Sequence, residues 1–149
     1  MALRKLKSVK PAVDVEALLR RFTGRKAKIG VIGLGYVGLP LACAICAAGF
    51  QAVGFDIDLS KIQKLKKGQS YIGNLHNDKL SDYVKSGKFH PTSDFKRLSD
   101  LDAVLLCVPT PLNRNREPDM TYIVKTSETV AKHLKRGQLI VLESTTYPG

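Results

Sequence analysis

Three glycines fall within six residues, at Gly33, Gly35 and Gly38, in the stretch IGVIGLGYVGLPLA that runs from Ile29 to Ala42. Glycine loses more conformational freedom on folding than any other residue, so its repeated use at one junction needs a physical reason. Lys28–Ile32 reads as a buried strand that the glycines end, and Tyr36–Ala48 as a helix apolar on nearly all sides. Such a helix suits burial between a sheet and a second layer. Pro40 is expected just beyond its first turn, with a slight bend, and Gly49 is placed to close it.

The alternation continues along the chain. Gln51–Asp56 predicts a second strand, Ser60–Lys67 a short basic helix, and Lys79–Lys85 a helix stopped at Gly87. Leu101–Val108 predicts a fully buried strand. Met120–Leu134 predicts a longer helix capped by Asp119 with Gly137 past its end, and Gln138–Glu143 one more apolar strand. Apolar strands without alternation, separated by helices, imply a parallel sheet covered on both faces. The expected fold class is therefore α/β, a doubly wound parallel sheet of Rossmann type. The polar, Pro-rich loop 109–119 follows a strand's carboxyl end, where such sheets bind ligands. Domain organisation reads as a basic arm with a short amphipathic helix over residues 1–27 and a binding domain over 28–149.

In a dinucleotide fold the first glycine permits the tight turn out of the strand. The second lets the backbone approach a diphosphate, and the third lets helix and strand pack closely. The helix start adds free N–H groups and the positive end of its dipole. Asp56 closes the next strand 18 positions after Gly38 (56 − 38), near the spacing expected of the acid that binds ribose hydroxyls. A carboxylate there repels a 2′-phosphate, so the expected cofactor is NAD rather than NADP, with Lys61 close in sequence. A tight turn with no ligand is the alternative reading of the glycines alone.

Composition excludes several other classes. The net charge is +11, and residues 1–28 hold nine Lys or Arg against Asp14 and Glu16. No aromatic residues are interleaved with the first of these charges, as single-strand nucleic-acid binding would want. The segment reads instead as a solvated arm and a helix whose apolar face carries Val13, Ala17, Leu18 and Phe22. No apolar run reaches the ~20 residues of a membrane span, and no secretory signal is visible. Three cysteines, Cys43, Cys46 and Cys107, are too few for a disulfide scaffold and are expected to be reduced and buried. Cys43 and Cys46 form a C-x-x-C pair without a second ligand pair or an exposed helix start, so neither a metal nor a redox role is assigned. A cytoplasmic location follows as the default.

Spacing alone stops at a dinucleotide-binding domain. The blocks GVIGLGYVGLPLA, FDID, LLCVPTPLNRNREPDM and VLESTTYPG, in this order, resemble the nucleotide-sugar 6-dehydrogenases, the UDP-glucose/GDP-mannose dehydrogenase family. The resemblance covers about Lys28 to Gly149, and its wording is most similar to the branch acting on UDP-N-acetylhexosamines. It implies oxidation of a sugar C6 alcohol to a carboxylate with two NAD+, within nucleotide-sugar metabolism and polysaccharide biosynthesis. It also implies a nucleotide-sugar substrate, no nucleic-acid or membrane partner, and a homo-oligomer when full length. By the same resemblance Gly33, Leu34, Gly35, Tyr36, Val37, Gly38 and Asp56 match the cofactor site, and Lys61 a basic position beside the adenosine ribose. Thr110 in VPTP matches a residue touching the cofactor. Thr145 in EST matches a threonine near the nicotinamide that orients a water or the substrate, the one catalytic assignment in this chain. The family's catalytic cysteine, with its Lys, Asn and Asp partners, falls downstream of Gly149. The 149 residues are accordingly expected to be the amino-terminal part of a longer enzyme, inactive alone. Two other readings are another NAD-dependent dehydrogenase, of the hydroxyacyl or 6-phosphogluconate type, and a stand-alone NAD-sensing module with a basic arm.

Overall fold

Five short apolar segments form one parallel sheet: β1 (Lys28–Ile32), β2 (Gln51–Phe55), β3 (Phe89–Thr92), β4 (Ala103–Leu106) and β5 (Leu139–Leu142), in the order β3-β2-β1-β4-β5. The computed structural model describes residues 14–73, 75, 77–112 and 116–146. Between the strands lie α2 (Gly38–Ala47), α3 (Leu59–Lys66), α4 (Asn77–Lys85), a 3-10 helix (Phe95–Asp100) and α5 (Thr121–His133). From β1 the chain passes outward to β2 and β3, then returns to place β4 on the other side of β1. That reversal is the switch point at which open α/β sheets carry their ligands.

Successive strand residues point to opposite faces, and the core divides accordingly. Val31, Leu34, Leu39, Ala42, Ala52, Leu65, Leu80 and Phe89 make one cluster, under α2, α3 and α4. Ile32, Val53, Phe55, Leu98, Val104, Leu106 and Val130 make the other, under the 3-10 helix and α5. A third cluster at the amino-terminal ends of the strands receives α1 (Val15–Thr23). Asp14 caps α1, its Oδ1 accepting the Ala17 N–H at 2.8 Å. Phe22 meets Phe50 at 6.0 Å between ring centres, and Arg21 grips Asp102 through two hydrogen bonds of 2.8 and 2.9 Å. The helix read from the sequence is thus fixed to the sheet by Phe22, and Ala17 and Leu18 on it are half-buried as well. Val13 lies outside the described residues, as do His76 and residues 113–115 and 147–149.

Several boundaries differ from the sequence reading. α2 begins at Gly38 rather than Tyr36, because Tyr36 and Val37 belong to the turn. Pro40 therefore falls inside the first turn, where a missing N–H costs nothing, and no bend is needed. Met120, not Asp119, is the cap residue of α5; the Asp119 carboxylate accepts the Thr121 N–H from one position earlier. β4 is confined to Ala103–Leu106, which leaves Cys107 beyond the strand. β3 and the 3-10 helix have no counterpart in the sequence pattern. β5 is exposed along three of its four residues, so its apolar sequence does not mark a buried strand here.

Candidate functional site

The register brings the carboxyl ends of four strands to one rim. Ile32 pairs with Phe55 on one side and Leu106 on the other, and Leu106 pairs with Leu142. Each strand therefore ends level with its neighbours, and Gly33, Asp56, Cys107 and Glu143 all border one cleft of about 1220 Å³. The 3-10 helix supplies Phe95 to this cleft, and α5 supplies Tyr122, Lys125, Thr126 and Thr129.

The three glycines meet three different constraints. Gly33 has φ +89°, and a Cβ on it would come within 2.5 Å of the Cys107 carbonyl oxygen. Gly38 carries α2 hard against the turn, where a Cβ would lie 1.8 Å from the Gly33 carbonyl oxygen. At Gly35 a Cβ would meet nothing within 4 Å, although the residue borders the cleft. The first two glycines are demanded by the protein itself. Gly35 instead borders the cleft with open space where a side chain would begin.

Asp56 joins the two loops at the switch point. One carboxylate oxygen accepts the Leu34 N–H at 3.0 Å, and the other accepts the Asp58 N–H at 2.9 Å. The Lys61 ammonium stands 3.6 Å from it, placed by the first turn of α3. Asp58 caps that helix, accepting the Ser60 hydroxyl and the Ser60 and Lys61 N–H groups. These bonds, the Ser60 hydroxyl foremost, hold its carboxyl below the usual range. Asp56 is 8% exposed yet borders the cleft, and a carboxylate has lone pairs beyond those two N–H groups.

The cleft gathers Gly33, Gly35, Tyr36, Val37, Asp56, Lys61, Thr110 and Thr145 from the residues the sequence singled out. Leu34 and Gly38 do not line it. Leu34's side chain is fully buried in the core under α2, and Gly38 is packed beneath Gly33. Both shape the turn rather than face a ligand. Sequence reasoning missed Tyr71, whose hydroxyl donates to the Leu34 carbonyl at 2.5 Å and whose ring lies 5.7 Å from the Lys61 ammonium. It also missed Ser144, which donates to the Val108 carbonyl at 2.7 Å and ties the end of β5 to the end of β4.

Cys107 also borders the cleft and is half-buried, not enclosed within a strand. Burial, with Glu143 beside it, pushes its thiol up to about 11, so it is protonated at neutral pH. Burial likewise raises Cys43, also half-buried, to about 11 and Cys46 to about 12. Among the described residues no group of three or more His, Cys, Asp or Glu side chains is arranged to hold a metal ion, and no helix is long and apolar enough to cross a membrane.

A family model described as the UDP-glucose/GDP-mannose dehydrogenase family, NAD binding domain, matches residues 27–149. The chain belongs to that family. Its cofactor is NAD, and the cleft fits it: Gly35 leaves the turn open, and Asp56, the residue after β2, borders the same space with a carboxylate. A UDP-N-acetyl-D-glucosamine 6-dehydrogenase of Salmonella typhi is 40% identical over 124 residues, 83% of this chain and 28% of that enzyme. A UDP-N-acetyl-D-mannosamine dehydrogenase of Pyrococcus horikoshii is 36% identical over 123 residues, 82% of this chain and 29% of that one. Among solved structures, an NDP-N-acetyl-D-galactosaminuronic acid dehydrogenase from Methanosarcina mazei superposes with a TM-score of 0.77 at 36% identity, covering 94% of this chain and 31% of that one. A GDP-mannose dehydrogenase from Pseudomonas aeruginosa gives 0.77 at 30% identity, covering 81% and 29%. The chain thus spans under a third of the length of these relatives.

Proposed function

We propose that this chain is the cofactor-binding part of an enzyme that oxidises the C6 alcohol of a UDP-sugar, a UDP-N-acetylhexosamine or UDP-glucose, to the carboxylate. Gly35 and the start of α2 take the diphosphate of NAD+, and Asp56, with Lys61 beside it, takes the adenosine ribose. Tyr36, Val37 and Thr110 border the bound cofactor, and Thr145 serves the reacting end by orienting a water or the substrate. Bound NAD+ supplies the hydride acceptor. The chain's own residues bind and orient it, and the walls from α5 and the 3-10 helix limit the water around it. The rest of the catalytic apparatus, the thiol that captures the aldehyde included, is assigned to sequence outside these 149 residues.

The observation that carries this reading is the pairing of an open Gly35 with Asp56 across one cleft. Gly35 has the space a diphosphate needs, and Asp56 has the charge that favours ribose hydroxyls over a 2′-phosphate. The relatives named above act on UDP- and other nucleotide-linked sugars by their names, which supports the substrate class. A cytoplasmic setting and assembly into homo-oligomers belong to the same proposal, as does a domain boundary near residue 28. The test is calorimetric titration of Asp56→Ala: NAD+ should bind more weakly and the preference over NADP+ should narrow. An unchanged preference would remove Asp56 from the site.

A further inference from the structure

The two peptide groups that flank Leu34 are each held by a side chain distant in sequence, Gly33–Leu34 through its N–H and Leu34–Gly35 through its carbonyl. Asp56 accepts the Leu34 N–H, and the Tyr71 hydroxyl donates to the Leu34 carbonyl. Lys61 links the two, 3.6 Å from the Asp56 carboxylate and 5.7 Å from the centre of the Tyr71 ring. Burial, then the Asp56 and Asp58 carboxylates, raises the Tyr71 phenol above its ordinary value, so it remains a donor throughout the working pH range.

A peptide unit is planar, with its carbonyl and N–H pointing in opposite directions. Fixing the Leu34 carbonyl therefore also fixes the Gly35 N–H. The Gly35 carbonyl accepts the Leu39 N–H at 3.1 Å, while no atom lies within 4 Å of where a Gly35 Cβ would be, so on its N–H side the preceding peptide sets the orientation. A turn of this kind between two glycines has several accessible conformations unless something outside it chooses one. Tyr71 comes from the segment between α3 and α4, and it reaches 37 positions back to do so.

We propose that Tyr71 is a positioning residue of the dinucleotide site: by holding the Leu34 carbonyl it sets the Gly35 peptide in the orientation that receives the diphosphate. Its phenol acts through the turn, and its ring, with Lys61 over it, borders the cleft. This rests on the proposed reading that the cleft takes NAD+.

Tyr71→Phe keeps the ring and removes only the hydroxyl, so it separates the two. The 149-residue chain and the variant are compared by amide hydrogen exchange at Leu34, whose N–H is bonded to Asp56, and by titration with NAD+, ADP-ribose and adenosine. The variant should exchange the Leu34 amide faster and bind NAD+ and ADP-ribose about three- to tenfold more weakly, the effect of one neutral hydrogen bond. Adenosine, which has no diphosphate, should bind it as it binds the unmutated chain, and the melting temperature should stay close to the original. Unchanged NAD+ affinity in the variant would overturn the proposal, as would an equal loss for adenosine. If the unmutated chain bound no NAD+, the functional reading would fall and the diphosphate role with it, whereas unchanged exchange in Tyr71→Phe would overturn the anchoring itself.

Discussion

At Gly35 and Gly38 two chemically identical residues do opposite work. A methyl group on Gly38 collides with backbone at 1.8 Å, so Gly38→Ala must push α2 off the turn. A Cβ on Gly35 meets nothing within 4 Å, and the residue borders the cleft. Gly35→Val should therefore melt within a few degrees of the unmutated chain while losing NAD+ binding by at least about tenfold, read by calorimetry. Gly38→Ala should instead lower the melting temperature by several degrees, with binding lost as a consequence, since the strain of an overpacked site costs about 1–3 kcal/mol. If Gly35→Val bound NAD+ normally, that glycine would serve only the turn. The three glycines and Asp56 were legible in the sequence because their spacing follows directly from the geometry of a strand, turn and helix. Tyr71 was not. It sits in a stretch with neither period, and its partner Leu34 is reached only after the intervening α2, β2 and α3 have packed.

Among the elements, α1 depends most visibly on a single polar contact. Arg21 and the Lys28 N–H converge on Asp102 at the amino-terminal end of the sheet, far along the strands from the cleft. Burial alone would raise the Asp102 carboxyl, but the Arg21 and Lys28 hydrogen bonds and the charges of Arg21 and Lys135 outweigh it and hold the carboxyl below its usual range. A carboxyl depressed in the folded state contributes stability above its unfolded pKa of about 3.9, and the contribution is lost as pH falls through the folded value. Asp102→Asn should thus cost about 1–3 kcal/mol near pH 7, measured by chemical denaturation. The gap from the unmutated chain should close progressively below about pH 4, as the native Asp102 is itself protonated. A gap independent of pH would mean that the charge is irrelevant and that only shape matters there.

β1, β2 and β4 are short apolar runs next to strong punctuation, and they are found within two residues of their ends. β3 is four residues long and contains Pro91, which removes a backbone donor. It is tolerated because β3 pairs on one side only, with β2, at the margin of the sheet. The local pattern carries no trace of that partner. β5 is an apolar strand, as its sequence predicts, yet three of its four residues are exposed, because burial depends on what covers a strand and a strand's own residues do not record that.

For the molecule as a whole, the cleft is built for binding more than for the complete reaction. Double oxidation of an alcohol needs a thiolate to hold the aldehyde and a base to take the alcohol proton, both within reach of the cofactor. Cys107 is the one cysteine bordering the cleft among the described residues, and its thiol is held up at about 11. Mixed with NAD+ and UDP-N-acetylglucosamine, UDP-glucose or GDP-mannose, the 149-residue chain should produce no NADH above background absorbance at 340 nm. Sustained NADH formation would place a catalytic centre inside this domain. If this cleft is an NAD site whose selectivity is set at Asp56, titrating the unmutated chain with NAD+ and NADP+ in one calorimeter under one buffer will distinguish the two cofactors. NAD+ should bind saturably at one site per chain, with NADP+ at least about tenfold weaker, the effect of roughly 1.4 kcal/mol of repulsion at the 2′-phosphate. Equal affinity for the two cofactors, or no heat from either, would contradict that assignment.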